Sequence, residues 1–289
     1  MRQAKATAIG FVAILLWALL ALFTVGSFPV PPLLLNALTF AIGGAVGLVW
    51  TRATGGFDQL KGVSWKVYAF GTIGLFGYHF LYFSALRMAP AAEAGLICYL
   101  WPLLIVLFSG ALPGERLTVW HVAGALIAFA GTAILILGDG ARLPEGGALT
   151  GFGLALLAAL TWALYSTLSR RLGRVPTASV AVFCLLTALL SAGFHAGLET
   201  TVWPSGIIGW LSVLALGLGP VGLAFYVWDV GMKHGDIQLL GVASYAAPLL
   251  STLALILAGI AEPSARIAIA AVMISTGAAL AAIASARTK

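Results

Sequence analysis

The stretch TAIGFVAILLWALLALFTV, residues 7–25, carries no charge and no proline. As a helix rising 1.5 Å per residue, it matches the roughly 30 Å hydrocarbon core of a bilayer. Arg2 and Lys5 precede it, as basic residues precede a secretory leader. The run is too long for a leader's apolar region and leads directly into another, so it reads as a retained span. Outward from it, charges, prolines and Gly/Ser clusters separate further apolar runs. They fall near 31–50, 66–86, 91–112, 118–137, 149–169, 177–197, 207–230, 236–260 and 265–285. Ten spans use most of the chain. The longest gap, 51–65, leaves no room for a soluble catalytic or receptor domain.

Composition agrees. Of 289 residues, 61% are hydrophobic and 8% charged, against about 25% charged in a soluble domain. Mean hydropathy is +1.06. A soluble globule is excluded, and so is a disordered chain. A disulfide scaffold is excluded because Cys98 and Cys184 are the only cysteines and both lie inside apolar runs. A transmembrane barrel would alternate apolar and polar residues in segments of about ten. Continuous runs instead require helices, which satisfy their own backbone in lipid.

Lysine and arginine give the orientation. With the N-terminus inside, only Arg87, Arg142 and Arg266 of the 15 basic residues fall outside. Both termini are therefore expected in the cytoplasm. The basic pI of about 9.6 is a topology signal and implies no nucleic acid.

The two halves resemble each other. Trp17-Ala18-Leu19 matches Trp162-Ala163-Leu164 at an offset of 145. Tyr99-Leu100-Trp101-Pro102 matches Tyr245-Ala246-Ala247-Pro248 at an offset of 146, and Arg87 falls on Lys233. The expected fold is all-α, with ten transmembrane helices arranged as two inverted five-helix repeats, residues 1–140 and 141–289. Five is odd, so the second copy enters from the opposite side. Such repeats belong to transporters whose halves rock about a site near the midplane.

These residues carry a family likeness. The repeated Trp-Ala-Leu, the basic residues before spans four and nine, the mid-helix prolines and the turn Leu112-Pro113-Gly114-Glu115-Arg116-Leu117 resemble the drug/metabolite transporter superfamily. The resemblance is to its EamA-type ten-helix branch, and most of all to aromatic amino-acid exporters of the YddG type. It implies efflux of aromatic and other neutral amino acids across a bacterial inner membrane. Small four-helix members of that superfamily carry a buried glutamate in the first helix; here that span holds Trp17 instead.

Candidate site residues lie at mid-depth. Tyr78 and Tyr82 share a helix face and His79 flanks it. An ionisable residue at the midplane points to a functional site; the alternative is a histidine held by a neighbouring helix. Tyr99 and Trp101 stand before Pro102, and Ser244 and Tyr245 before Pro248. Proline frees a carbonyl one turn earlier, so both places read as a site or gate, with a plain kink as the alternative. Trp17 and Trp162 line the centre or pack tightly there. Trp50, Trp65, Trp120, Trp203 and Trp210 lie near span ends, as belt residues do. Asp229 is expected to pair with Lys233, and Glu93 with Arg87. Glycines at 43, 44 and 47 and at 71, 74 and 77 favour close helix packing.

There is no Walker-type loop, metal cluster or Ser-His-Asp arrangement, so no cofactor, metal or catalytic residue is expected. A cavity of Tyr, Trp and His suits a neutral amino acid. Nucleotide sugars and phosphate esters would need Lys or Arg in the cavity, and no span interior holds one. Export of drugs or other small metabolites, with or without proton coupling, is the alternative. With both repeats in one chain, a monomer is self-sufficient.

Overall fold

The computed structural model describes residues 1–137 and 148–288. Arg142, Asp139, Glu145 and Lys289 lie outside the described residues, as does the expected boundary at 140/141. Every regular element among the described residues is helical.

Among the described residues ten helical spans are long and apolar enough to cross a membrane: α1 Gln3–Gly26, α2 Pro32–Thr54, α3 Trp65–Met88, α4 Ala91–Ser109, α5 Val119–Leu137, α6 Ala148–Leu172, α7 Ser179–Leu198, α8 Gly206–His234, α9 Ile237–Leu257 and α10 Ala265–Arg287. Helix starts follow local chemistry. Ser64 accepts a hydrogen bond from the Lys66 N–H ahead of α3, and Asp236 accepts one from the Leu239 N–H at the start of α9. Pro32 opens α2, where its missing N–H costs nothing.

Five spans are broken or widened part-way along. α3 widens into a π turn at Ile73–Gly77, and α8 does so at Gly219–Leu223, 146 residues on. α4 breaks at Tyr99 and Leu100, and α9 breaks at Ser244 and Tyr245. Pro102 and Pro248 therefore stand in the first turn of a second half-helix instead of bending a continuous one. α1 breaks at Ala18 and Leu19, whereas its counterpart α6 runs unbroken through Trp162.

The main helix pairs are α5 with α10, α2 with α7, α1 with α8, and α3 with α6, while the first segment of α9 packs on the second of α4. Exchanging the halves maps the first four of these pairs onto one another, as expected of two copies related by a pseudo-twofold axis. Small residues let the backbones meet. A Cβ on Gly43 of α2 would stand 2.7 Å from Gly222 Cα in the π turn of α8. One on Gly124 of α5 would stand 2.6 Å from the Gly277 carbonyl oxygen of α10.

Candidate functional site

The irregular turns of α1, α3, α4 and α8 lie beside one aromatic cluster. Trp17, at the end of the first segment of α1, stands at the centre of it. Its ring centroid lies 6.1 Å from Trp101, 5.9 Å from Trp162 and 5.0 Å from Trp228. Most of these contacts are edge-to-face, the arrangement ring quadrupoles prefer. Phe225 joins Trp162 at 5.7 Å and stacks on Phe40 at 5.3 Å. Tyr78 lies 5.2 Å from Trp162, 5.0 Å from His79 and 6.0 Å from Tyr82, with the two tyrosine rings nearly parallel.

The structure thus brings together Trp17, Tyr78, His79, Tyr82, Trp101 and Trp162. Tyr99 sits in the break of α4 and packs against a second cluster that holds Val106, Val242 and Tyr245. Ser244 and Tyr245 stand apart from the aromatic centre. Both are fully buried. The Ser244 hydroxyl donates to the Leu240 carbonyl, and the Tyr245 hydroxyl accepts from the Leu103 N–H at 3.2 Å. That N–H belongs to the first turn of the second half of α4, where helical partners are missing. Tyr245 thereby ties the break of α9 to the break of α4.

Sequence reading missed Phe40, Phe225 and Trp228. The repeat held a signal for two of them, because the 146-residue offset carries His79 onto Phe225 and Tyr82 onto Trp228. The five tryptophans assigned to the interface are all substantially exposed.

No Lys, Arg, Asp or Glu takes part in the ring contacts of the cluster. Charges gather at its two ends. At one end Arg170 of α6 bridges Glu115 and donates to the Met232 and Gly235 carbonyls at 3.2 and 2.6 Å. Lys233 pairs with Asp229 at 2.8 Å, as expected, and Thr177 donates to the same carboxylate oxygen. At the other end Arg87 bridges Glu199 of the α7–α8 connection, not Glu93 as expected. Glu199 is within reach because it lies over the start of α2, accepting from the Leu33 and Leu34 N–H groups and from His195 Nδ1. Burial opposes its ionisation. The hydrogen bonds from His195, the Leu33 N–H, Arg87 and the Leu34 N–H outweigh that and hold its pKa below the usual carboxylate value. The α2 N-terminus adds positive potential. Among the described residues no three His, Cys, Asp or Glu side chains cluster as metal ligands.

Discontinuous helices that cross at mid-depth around a charge-free aromatic centre form the architecture of a secondary transporter. The chain belongs to the EamA-like transporter family, whose model matches residues 4–137 and 149–283. It is 57% identical over 286 residues to the aromatic amino acid exporter YddG of Ancylobacter novellus, covering 97% of this chain and 98% of that protein. It is 29% identical to the aromatic amino acid exporters YddG of Salmonella typhimurium and Escherichia coli, over 87% of this chain and 88% of each of those proteins. A crystal structure of a chain 56% identical to this one matches it with a TM-score of 0.92, over 97% of this chain and 98% of that one. This chain is a transporter, not an enzyme, and a multi-pass membrane protein.

Proposed function

We propose that the protein exports neutral amino acids, favouring aromatic and other apolar side chains, across a bacterial inner membrane by alternating access about the aromatic cluster. The observation that carries this reading is the cluster itself. It offers broad apolar ring surface with a few polar tips and no fixed charge, at the crossing of the two repeats. The chain's likeness to exporters of aromatic amino acids supports the same solute class.

The repeats, taken as 1–140 and 141–289, rock against each other, with the half-helices after Pro102 and Pro248 opening opposite gates. Both termini lie in the cytoplasm and one chain suffices. On the Arg170 side Met232, Ile237 and Leu240 are fully buried and Arg170 pairs with Glu115, which supports a gate closed on that side. Tyr78, His79 and Tyr82 are only half-buried, which supports access from the opposite side.

The test is uptake into liposomes carrying the purified protein, with no ion gradient, of labelled Phe, Trp, Met, Thr, Glu and a nucleotide sugar. Saturable uptake of the neutral amino acids, but not of Glu or the nucleotide sugar, supports a facilitative amino-acid carrier. Uptake only under a pH gradient makes transport proton-coupled. No amino-acid uptake under either condition refutes the reading and shifts the solute class to drugs or other metabolites.

A further inference from the structure

Four indole rings meet at the centre, and two of them already have hydrogen-bond acceptors. Trp17 Nε1 donates to the Pro220 carbonyl, inside the π turn of α8, at 3.1 Å. Trp228 Nε1 donates to Ser166 Oγ at 3.0 Å. Trp101 and Trp162 are as deeply buried, at 5% and 3% exposure. Their Nε1 atoms make no hydrogen bond among the described residues, and neither is among the fully enclosed unpaired atoms. A buried indole N–H ordinarily finds a partner. Two neighbouring rings that lack one, 6.2 Å apart and at 84° to each other, mark a place where something else accepts.

His79 has the complementary polarity. Its Nδ1 lies 2.7 Å from the Leu75 carbonyl, again inside a π turn. A carbonyl only accepts, so Nδ1 carries the hydrogen. The ring is bordered by Phe40, Tyr78, Phe83 and Phe225, with no carboxylate against it, and is therefore neutral. Nε2 then presents a lone pair, and it has no partner among the described residues. Tyr78 lies between the two features, in ring contact with both Trp162 and His79.

We propose that the indole N–H groups of Trp101 and Trp162 receive the carboxylate of the solute and that His79 Nε2 receives its ammonium. The site thus reads a zwitterion through the polarity of neutral groups. Ring faces beside His79 add cation–π attraction for the ammonium end. A fixed charge at that depth would be costly and would favour ions over zwitterions. This assignment rests on the amino-acid reading above and adds which end of the solute each residue holds.

The test is counterflow of labelled L-tryptophan in liposomes carrying the full chain, with three competitors: L-tryptophan, tryptamine, which lacks the carboxylate, and indole-3-propionate, which lacks the ammonium. In the unmodified protein L-tryptophan competes best. The double variant Trp101→Phe, Trp162→Phe weakens competition by L-tryptophan and indole-3-propionate about ten- to hundred-fold, the range for a hydrogen bond to a charged group, and leaves tryptamine unchanged. His79→Leu weakens L-tryptophan and tryptamine and leaves indole-3-propionate unchanged. His79→Gln, which restores an acceptor, recovers binding. The unchanged competitor in each case reports a folded site. Equal weakening of all three competitors would mean the rings only pack, and would overturn the assignment. Absence of any tryptophan counterflow in the unmodified protein would overturn the amino-acid reading itself, a separate outcome.

Discussion

Replacing Tyr245 with Phe removes one oxygen and leaves the ring, which packs 5.9 Å from Phe129, in place. The lost oxygen accepts the Leu103 N–H, which lies in the first turn of a half-helix. Tyr245 is fully buried, so water does not reach the site to replace it. Stranding a buried donor costs about 1–3 kcal/mol, and the absence of water in a bilayer core favours the upper part of that range. Two other tyrosines calibrate the expectation. The Tyr226 hydroxyl donates to the Gly43 carbonyl at 3.0 Å, so Tyr226→Phe removes only a second bond to a helical oxygen, a smaller loss. The Tyr68 hydroxyl reaches the Leu60 carbonyl at only 3.5 Å, so Tyr68→Phe is close to neutral. Thermal unfolding of the three variants in one detergent checks the order Tyr245, then Tyr226, then Tyr68. A Tyr245→Phe protein as stable as the unmodified one, or more stable than Tyr226→Phe, would refute the role of this side chain as a cap between the two breaks.

Three further outcomes are expected. Pro102→Ala and Pro248→Ala extend helical bonding into the breaks and slow transport in the liposome assay; intact rates for both would remove the hinge role. Gly43→Ala puts a methyl 2.7 Å from the Gly222 backbone and costs about 1–3 kcal/mol in unfolding measurements, whereas Gly193→Ala meets open space and is nearly neutral. Because the Glu199 pKa is lowered in the folded protein, its contribution is fully present above the unfolded carboxylate value of about 4.3 and is lost as pH falls through the lower folded value. Melting temperature should therefore drop over that window, and Glu199→Gln should flatten the drop; an unchanged profile would show that the Arg87–Glu199–His195 cluster is not coupled to folding.

Much of this protein is legible along the chain. Lipid offers no partner for a backbone N–H or carbonyl, so each apolar run had to be a helix, wherever its neighbours lie. Span ends moved only slightly: 31–50 became Pro32–Thr54, and 66–86 became Trp65–Met88. The duplication was visible in Trp17/Trp162 and Tyr99/Tyr245, and the same offset relates the two π turns. Tryptophans near span ends were separable from central ones by depth alone.

Tertiary structure decided which faces meet. In lipid a neighbouring helix is no more apolar than the solvent, so no amphipathic stripe marks the packed side. Phe40, Phe225 and Trp228 therefore looked like ordinary apolar positions until α8 folded against α1 and α6, and α2 against α8. Ser244 and Tyr245 shared the depth of the site but turned to helix contacts. Arg87 had Glu93 six residues away, yet its ion pair is with Glu199, which the fold carries across from the α7–α8 connection. Hydropathy and repeat spacing are properties of position along the chain, and the sequence alone determined what depends on them. Which indole N–H groups have partners, and which charges meet, depends on how faces are oriented across helices far apart in sequence, and only the folded bundle sets that.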